Sequence, residues 1–72
     1  MNTITLTGWE TGFDKIGLNK LLRDQFGYSL RDAKAAVDAL LENQVIKLSI
    51  AQSKSAFVSE NLAALHVHFT VS

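Results

Sequence analysis

The chain has 72 residues, of which 47% are hydrophobic and 19% are charged, and it contains no cysteine and no proline. This composition is typical of one globular domain, and it excludes a disordered chain, a disulfide scaffold and a cysteine-bound zinc site. Seven basic and seven acidic residues give a formal net charge of zero, so the overall charge favours neither nucleic acid nor a membrane surface as partner. We therefore expect a single domain over residues 1–72.

The sequence carries no signal for insertion into a membrane or transport across one. No apolar run approaches the roughly 18 residues that a membrane span needs. The segment from Met1 to Gly12 also lacks the basic region and the apolar stretch of a secretory signal. The chain has no cysteine, so nothing in it indicates an oxidising compartment. Together these features predict a cytoplasmic protein.

The first predicted element is a strand at residues 3–7, where apolar residues alternate with threonines. This period of two is typical of a strand with one buried face. Gly8 and Gly12 then bracket a predicted turn that holds Trp9. We interpret Trp9 as a lid over one end of the core; a ligand platform is the alternative.

Two predicted helices follow. Residues 14–26 place their apolar side chains on one broad face, and Gly27 ends the helix as a C′ glycine does. Ser29 is a typical N-cap of the second helix, and Asp32 three residues later is an acidic variant of the capping box. The apolar faces comprise Leu18, Leu21, Leu22 and Phe26 in the first helix and Leu30, Ala33, Val37, Leu40 and Leu41 in the second.

The rest of the chain predicts a strand, a helix and a strand. Residues 45–50 alternate with period two, residues 52–65 return to a helical pattern, and residues 67–71 alternate again. The order β-α-α-β-α-β, with one apolar face per strand, predicts an α+β fold. We expect a three-stranded, mainly antiparallel sheet with three helices packed on one face.

The basic residues cluster on the first two predicted helices, which carry five of the seven. On a helical wheel, Lys20 and Arg23 lie opposite the leucine face, and Ile16 lies between them. Cations provide steering and register at an interface, and an exposed isoleucine provides apolar contact, so this pattern indicates a protein-docking surface. An ordinary solvated helix face with one exposed isoleucine is the alternative interpretation.

The sequence supports nucleic-acid binding, metal binding and catalysis less well than protein docking. Nucleic acid would use the same cations, but four aspartates interleave with them and no stacking aromatic residues alternate with them. His66 and His68 lie two residues apart without the further ligands of a metal site, so we interpret them as polar-face histidines. No nucleophile elbow, dinucleotide-binding loop or phosphate-binding loop occurs. We therefore expect no catalysis, no metal and no cofactor.

The run from Gly27 to Val37, Gly-Tyr-Ser-Leu-Arg-Asp-Ala-Lys-Ala-Ala-Val, resembles the signature that opens the second helix in the C-terminal domain of the bacterial ribosomal stalk protein. The resemblance covers about residues 3 to 72 and implies the same α+β fold. It also implies a protein partner, either a translational GTPase factor or a ribosome-associated protein, on the basic face. The residues that the resemblance carries over to that face are Lys15, Ile16, Lys20, Arg23, Arg31 and Lys34.

The chain also differs from the stalk family. That family precedes this domain with a helical dimerisation module and a hinge, whereas this sequence starts at the first strand, so we expect a stand-alone domain. Asp24 stands where the family has a glycine, and Asn19 replaces an apolar residue. The Clp protease adaptor shares the fold type and gives an alternative hypothesis of peptide binding. That adaptor carries an acidic Asn-Asp-Asp turn, where this chain has Glu10 as the one acid.

Overall fold

The computed structural model describes residues 2–72. Its strands and helices are β1 (Asn2–Trp9), α1 (Lys15–Phe26), α2 (Leu30–Leu41), β2 (Ile46–Ile50), α3 (Gln52–Ala64) and β3 (Val67–Val71). This order confirms the predicted α+β fold with the sequence β-α-α-β-α-β. The predicted bounds agree with the observed ones within one residue, except at the end of β1, which extends two residues further.

β1 lies at the centre of the sheet and pairs antiparallel with both other strands, in the order β2-β1-β3. Ile4 lies opposite Leu48 on one side and Val71 on the other. β2 and β3 are therefore edge strands that run parallel to each other without pairing. Because β1 lies between them, the connection through α3 crosses over the central strand.

The core lies on one face of the sheet and is entirely apolar within residues 2–72. Every strand and helix contributes to it: Ile4, Leu6, Leu18, Leu21, Leu22, Ala33, Val37, Leu40, Leu48, Ile50, Val58, Leu62 and Val67 are buried. Thr5 pairs with Lys47 on β2 and with Thr70 on β3, and these three side chains share the opposite face. The alternation predicted from the sequence therefore separates a core face from a polar face.

A bulge in β1 explains why the strand continues past the predicted end. The register against β3 shifts between Leu6 and Gly8, so that Trp9 pairs with Val67. Without the extra residue Trp9 would lie on the polar face; with it, Trp9 shares the face of the buried Val67. The indole packs against Phe13 with ring centroids 6.0 Å apart. The predicted turn at Gly8 and Trp9 is therefore wrong, and the chain turns only after Glu10.

Side-chain and backbone caps set the ends of the first two helices. The backbone N–H of Gly17 donates to Oδ1 of Asp14 at 2.9 Å, and the N–H of Asp32 donates to Oγ of Ser29 at 3.1 Å. Each bond satisfies an N–H that has no partner within its helix. Gly27 ends α1 at φ 69°, in the left-handed region that favours glycine. The predicted cap Ser29 and the predicted stop at Gly27 are confirmed.

One apolar residue that the sequence pattern assigns to the interior is exposed: Leu30, in the predicted apolar stripe of the second helix, is 63% exposed. Phe57 on α3 is also exposed, at 53%. The helical stripes are wider than the surface that the sheet covers, so side chains at their edges face the grooves between helices. Val45, which the sequence pattern places in the second strand, lies just before β2 and is also exposed.

We expect Gly27→Ala to lower the free energy of unfolding by about 1–2 kcal/mol, because an L-residue is strained at this φ although the space around its Cβ is open. Gly8→Ala is the matched control: an added Cβ there also meets nothing within 4 Å, and its φ is not positive. Urea unfolding followed by circular dichroism measures both variants. Equal stability of the two would contradict a conformational role for Gly27.

Candidate docking groove

A shallow groove of about 380 Å³ lies between α1 and α2. Its lining residues are Lys15, Ile16, Asn19 and Arg23 from α1 and Leu30, Lys34, Val37 and Asp38 from α2. Within each helix these positions recur every three or four residues, which places them on one helical face. The groove is thus the valley between two neighbouring helices whose other faces reach the core.

The apolar part of the groove is unusually open. Ile16 is 83% exposed and Leu30 is 63% exposed, whereas Val37 beside them belongs to the core. The expectation that Ile16 faces solvent is therefore confirmed. A single exposed aliphatic side chain needs no explanation, but two on facing helices of one groove form an apolar contact area that no part of residues 2–72 covers.

Charged side chains surround this apolar area. Lys15, Arg23 and Lys34 line the groove together with a single carboxylate, that of Asp38. Within residues 2–72 no lysine or arginine nitrogen lies within 4.0 Å of a carboxylate oxygen; the two short contacts to a carboxylate both come from histidines. Lys34 and Asp38 therefore make no ion pair, although they lie one turn apart. The rim is net positive, and its lysines and arginine make no ion pair within residues 2–72.

The structure brings together four of the residues predicted for the basic face: Lys15, Ile16, Arg23 and Lys34. It places Lys20 in a second groove, on the side of α1 that faces α3. Arg31 is exposed on α2 but lines neither groove. The helical wheel put Lys20 and Arg23 on the same exposed side, but it carried no information about which neighbouring helix each would face.

Sequence reasoning missed four residues of the groove. They are Asn19, Leu30, Val37 and Asp38. Leu30 and Val37 belong to the same apolar stripe, and the pattern alone does not separate the one that is buried from the one that is exposed. Asn19 follows Ile16 by three residues and Asp38 follows Lys34 by four, and this helical spacing is the signal that could have placed both in the groove.

A second cluster of ionisable groups lies at the start of β3. Nδ1 of His66 is 3.3 Å from Oε1 of Glu10, and Nε2 of His68 is 3.5 Å from Oε2 of the same carboxylate. His66 precedes the strand at φ 61°, so the two histidines reach Glu10 from different backbone conformations rather than from one regular strand face. The β1–α1 connection therefore holds two acids that have partners within the chain: Glu10 lies beside these histidines, and Asp14 caps α1.

All lysine, arginine, aspartate, glutamate and histidine residues in residues 2–72 are exposed. No group of three or more histidine, aspartate or glutamate side chains in this part of the chain is arranged to hold a metal ion. Over the same residues, none of the helices has the length and apolar character needed to cross a membrane.

No protein-family model matches this chain, and a search of curated proteins finds no match either. The resemblance to the ribosomal stalk domain therefore rests on the sequence motif and on the shared element order, and it stays a prediction.

Because Ile16 projects into solvent, we expect Ile16→Asn to change the free energy of unfolding by less than about 0.5 kcal/mol. Val37→Asn in the same groove is the matched comparison. It places a polar amide in the core and is expected to lower the free energy of unfolding by roughly 3 kcal/mol. Thermal unfolding of the two variants measures the contrast, and a large loss for Ile16→Asn would show that this side chain supports the fold.

Proposed function

We propose that this chain is a non-catalytic protein-binding module that docks its partner in the groove between α1 and α2. The observation that carries this proposal is the juxtaposition of Ile16 and Leu30, both exposed, with three cations that have no carboxylate within 4.0 Å in residues 2–72. Apolar contact area and unpaired charge in one groove are what a docking site requires.

The apolar and charged parts of the groove have different tasks. Complete burial of a leucine or isoleucine side chain contributes about 1.5–3 kcal/mol, whereas an exposed ion pair contributes about 0.2–1 kcal/mol. Ile16 and Leu30 therefore provide most of the affinity. The cations orient the partner and raise its association rate, and their effect weakens as salt screens the exposed rim.

The rim also restricts the chemistry of the partner. Lys15, Arg23 and Lys34 favour an acidic segment, and the apolar floor favours a segment that presents an aliphatic or aromatic side chain between its carboxylates. The resemblance to the ribosomal stalk domain supports a translational GTPase factor as that partner, within the wider class of ribosome-associated proteins. Arg31, which is exposed on α2 outside the groove, adds long-range positive potential, whereas Lys20 faces the α3 side of α1.

The alternative functions fit this surface less well. A nucleic acid would find cations in this groove, but it would also meet aliphatic side chains and the Asp38 carboxylate, and no aromatic residue of the described chain lines the groove for base stacking. A Clp adaptor would need free acids in the β1–α1 connection, where Glu10 lies beside two histidines and Asp14 caps α1. An enzyme typically shields an ionisable group from water, and within residues 2–72 the buried residues are all apolar.

The test is a titration of the chain with a purified bacterial translational GTPase in its GTP-bound form, measured by calorimetry at low salt. We expect the double reversal Arg23→Glu with Lys34→Glu to weaken binding by about tenfold or more, since it removes two favourable charge contacts and introduces repulsion. Binding by this double variant should also depend less on salt concentration than binding by the wild type. Ile16→Ser should weaken binding without changing the salt dependence.

Lys47→Glu with Lys54→Glu is the matched control, because it changes the net charge by the same amount at exposed positions outside the groove. We expect this control to bind almost as the wild type does. Binding that survives the Arg23 and Lys34 reversal would contradict the groove as the site. No binding of any translational GTPase by the wild-type chain would contradict the choice of partner.

A further inference from the structure

The second groove, of about 300 Å³, lies on the other side of α1, between α1 and α3. Its lining residues are Gly17, Lys20, Leu21, Asp24, Gln25, Phe57, Asn61 and Leu65. At one end the two helices are in close contact, because a Cβ added to Gly17 would overlap the Leu65 side chain. The groove along the rest of α1 is bordered on the α3 side by the ring of Phe57.

Phe57 is the main apolar feature of this groove. Its side chain is 53% exposed, while Val58 and Leu62 on the same helix fill the core. The phenyl group therefore adds little to the interior and leaves apolar surface in contact with water. It lies beside Leu21 and Leu65, which offer an apolar floor. Large exposed aromatic side chains of this kind are enriched at protein–protein contacts.

The charges of this groove differ from those of the first. Lys20 and Asp24 lie one turn apart on α1, and they make no ion pair with each other within 4.0 Å in residues 2–72. A twofold axis that sets two α1 helices antiparallel places each Lys20 opposite the other copy's Asp24. A surface with one cation and one acid is therefore complementary to itself, which is the condition for an isologous dimer contact.

The first groove lacks this property. A second copy docked there would bring the cations Lys15, Arg23 and Lys34 against the same three cations, opposed by only one Asp38 per copy. Charge thus directs a second copy of the chain to the α1–α3 side and an acidic partner to the α1–α2 side. The net charge of zero adds no overall repulsion between two copies.

We propose that two copies of this chain associate through the α1–α3 groove, with Phe57 packed in the groove of the other copy and Lys20 paired with the partner subunit's Asp24. The α1–α2 grooves stay open in this dimer because they lie on the other side of α1. A dimer then presents two docking grooves, and it binds a target with two acidic sites more tightly than a single copy does.

The charge pair allows a decisive experiment on the free chain. Lys20→Asp creates two acids on the contact, and Asp24→Lys creates two cations, so each single variant is expected to be monomeric at concentrations where the wild type dimerises. An equimolar mixture of the two single variants should form a heterodimer, and the double variant that exchanges the two charges should recover the homodimer. Sedimentation velocity over a concentration series measures all four cases, and Phe57→Ser should also shift the wild-type equilibrium towards monomer.

Recovery in the mixture requires both variants to be folded, so misfolding does not imitate the expected result. Lys34→Glu, in the first groove, is the control that should leave dimerisation unchanged while it weakens binding of the GTPase; the two proposals therefore fail independently. A wild type that is monomeric at every concentration would overturn the dimer and leave the α1–α3 groove to a different protein. Single variants that dimerise as the wild type does would overturn it as well.

Discussion

The inward packing of the α1 leucines determines where every other feature of the helical layer lies. Leu18, Leu21 and Leu22 are buried against the sheet side of the domain, with α2 and α3 on either side of the helix. Once these three side chains face inward, the helical period leaves the rest of α1 facing outward in a defined order. Arg23 borders the α2 side and Lys20 the α3 side. One packing constraint thus produces two grooves with different charge.

Stability and the proposed recognition depend on largely different residues, and among residues 2–72 only Val37 and Leu21 are both buried and part of a groove. The buried residues of the described chain are all apolar, and the charged residues are all exposed, so the fold depends on packing while the surface carries the electrostatics. Changes of charge in either groove are therefore expected to cost little stability. Because a fold does not determine function, the function of such a domain depends on its surface residues rather than on its topology.

In the two proposals, charge assigns a different occupant to each groove. The α1–α2 groove combines the exposed Ile16 and Leu30 with a positive rim, which suits an acidic protein segment. The α1–α3 groove combines Phe57 with one cation and one acid, which suits a second copy of the chain. Because α1 forms a wall of both, substitutions on this helix have to be assigned to a groove before their effect on binding is interpreted.

Local patterns were sufficient for the elements, the stop at Gly27, the cap at Ser29 and the exposure of Ile16, because each depends on neighbours within a turn or two along the chain. They were insufficient for Leu30, Trp9 and Lys20. Whether Leu30 is buried or exposed depends on how far the sheet extends beneath α2. The face of the sheet on which Trp9 lies depends on the bulge in β1 against β3. The groove that Lys20 faces depends on α3, which is distant in sequence. These features arise from contacts between separate elements, and a period along one helix or strand does not encode such contacts.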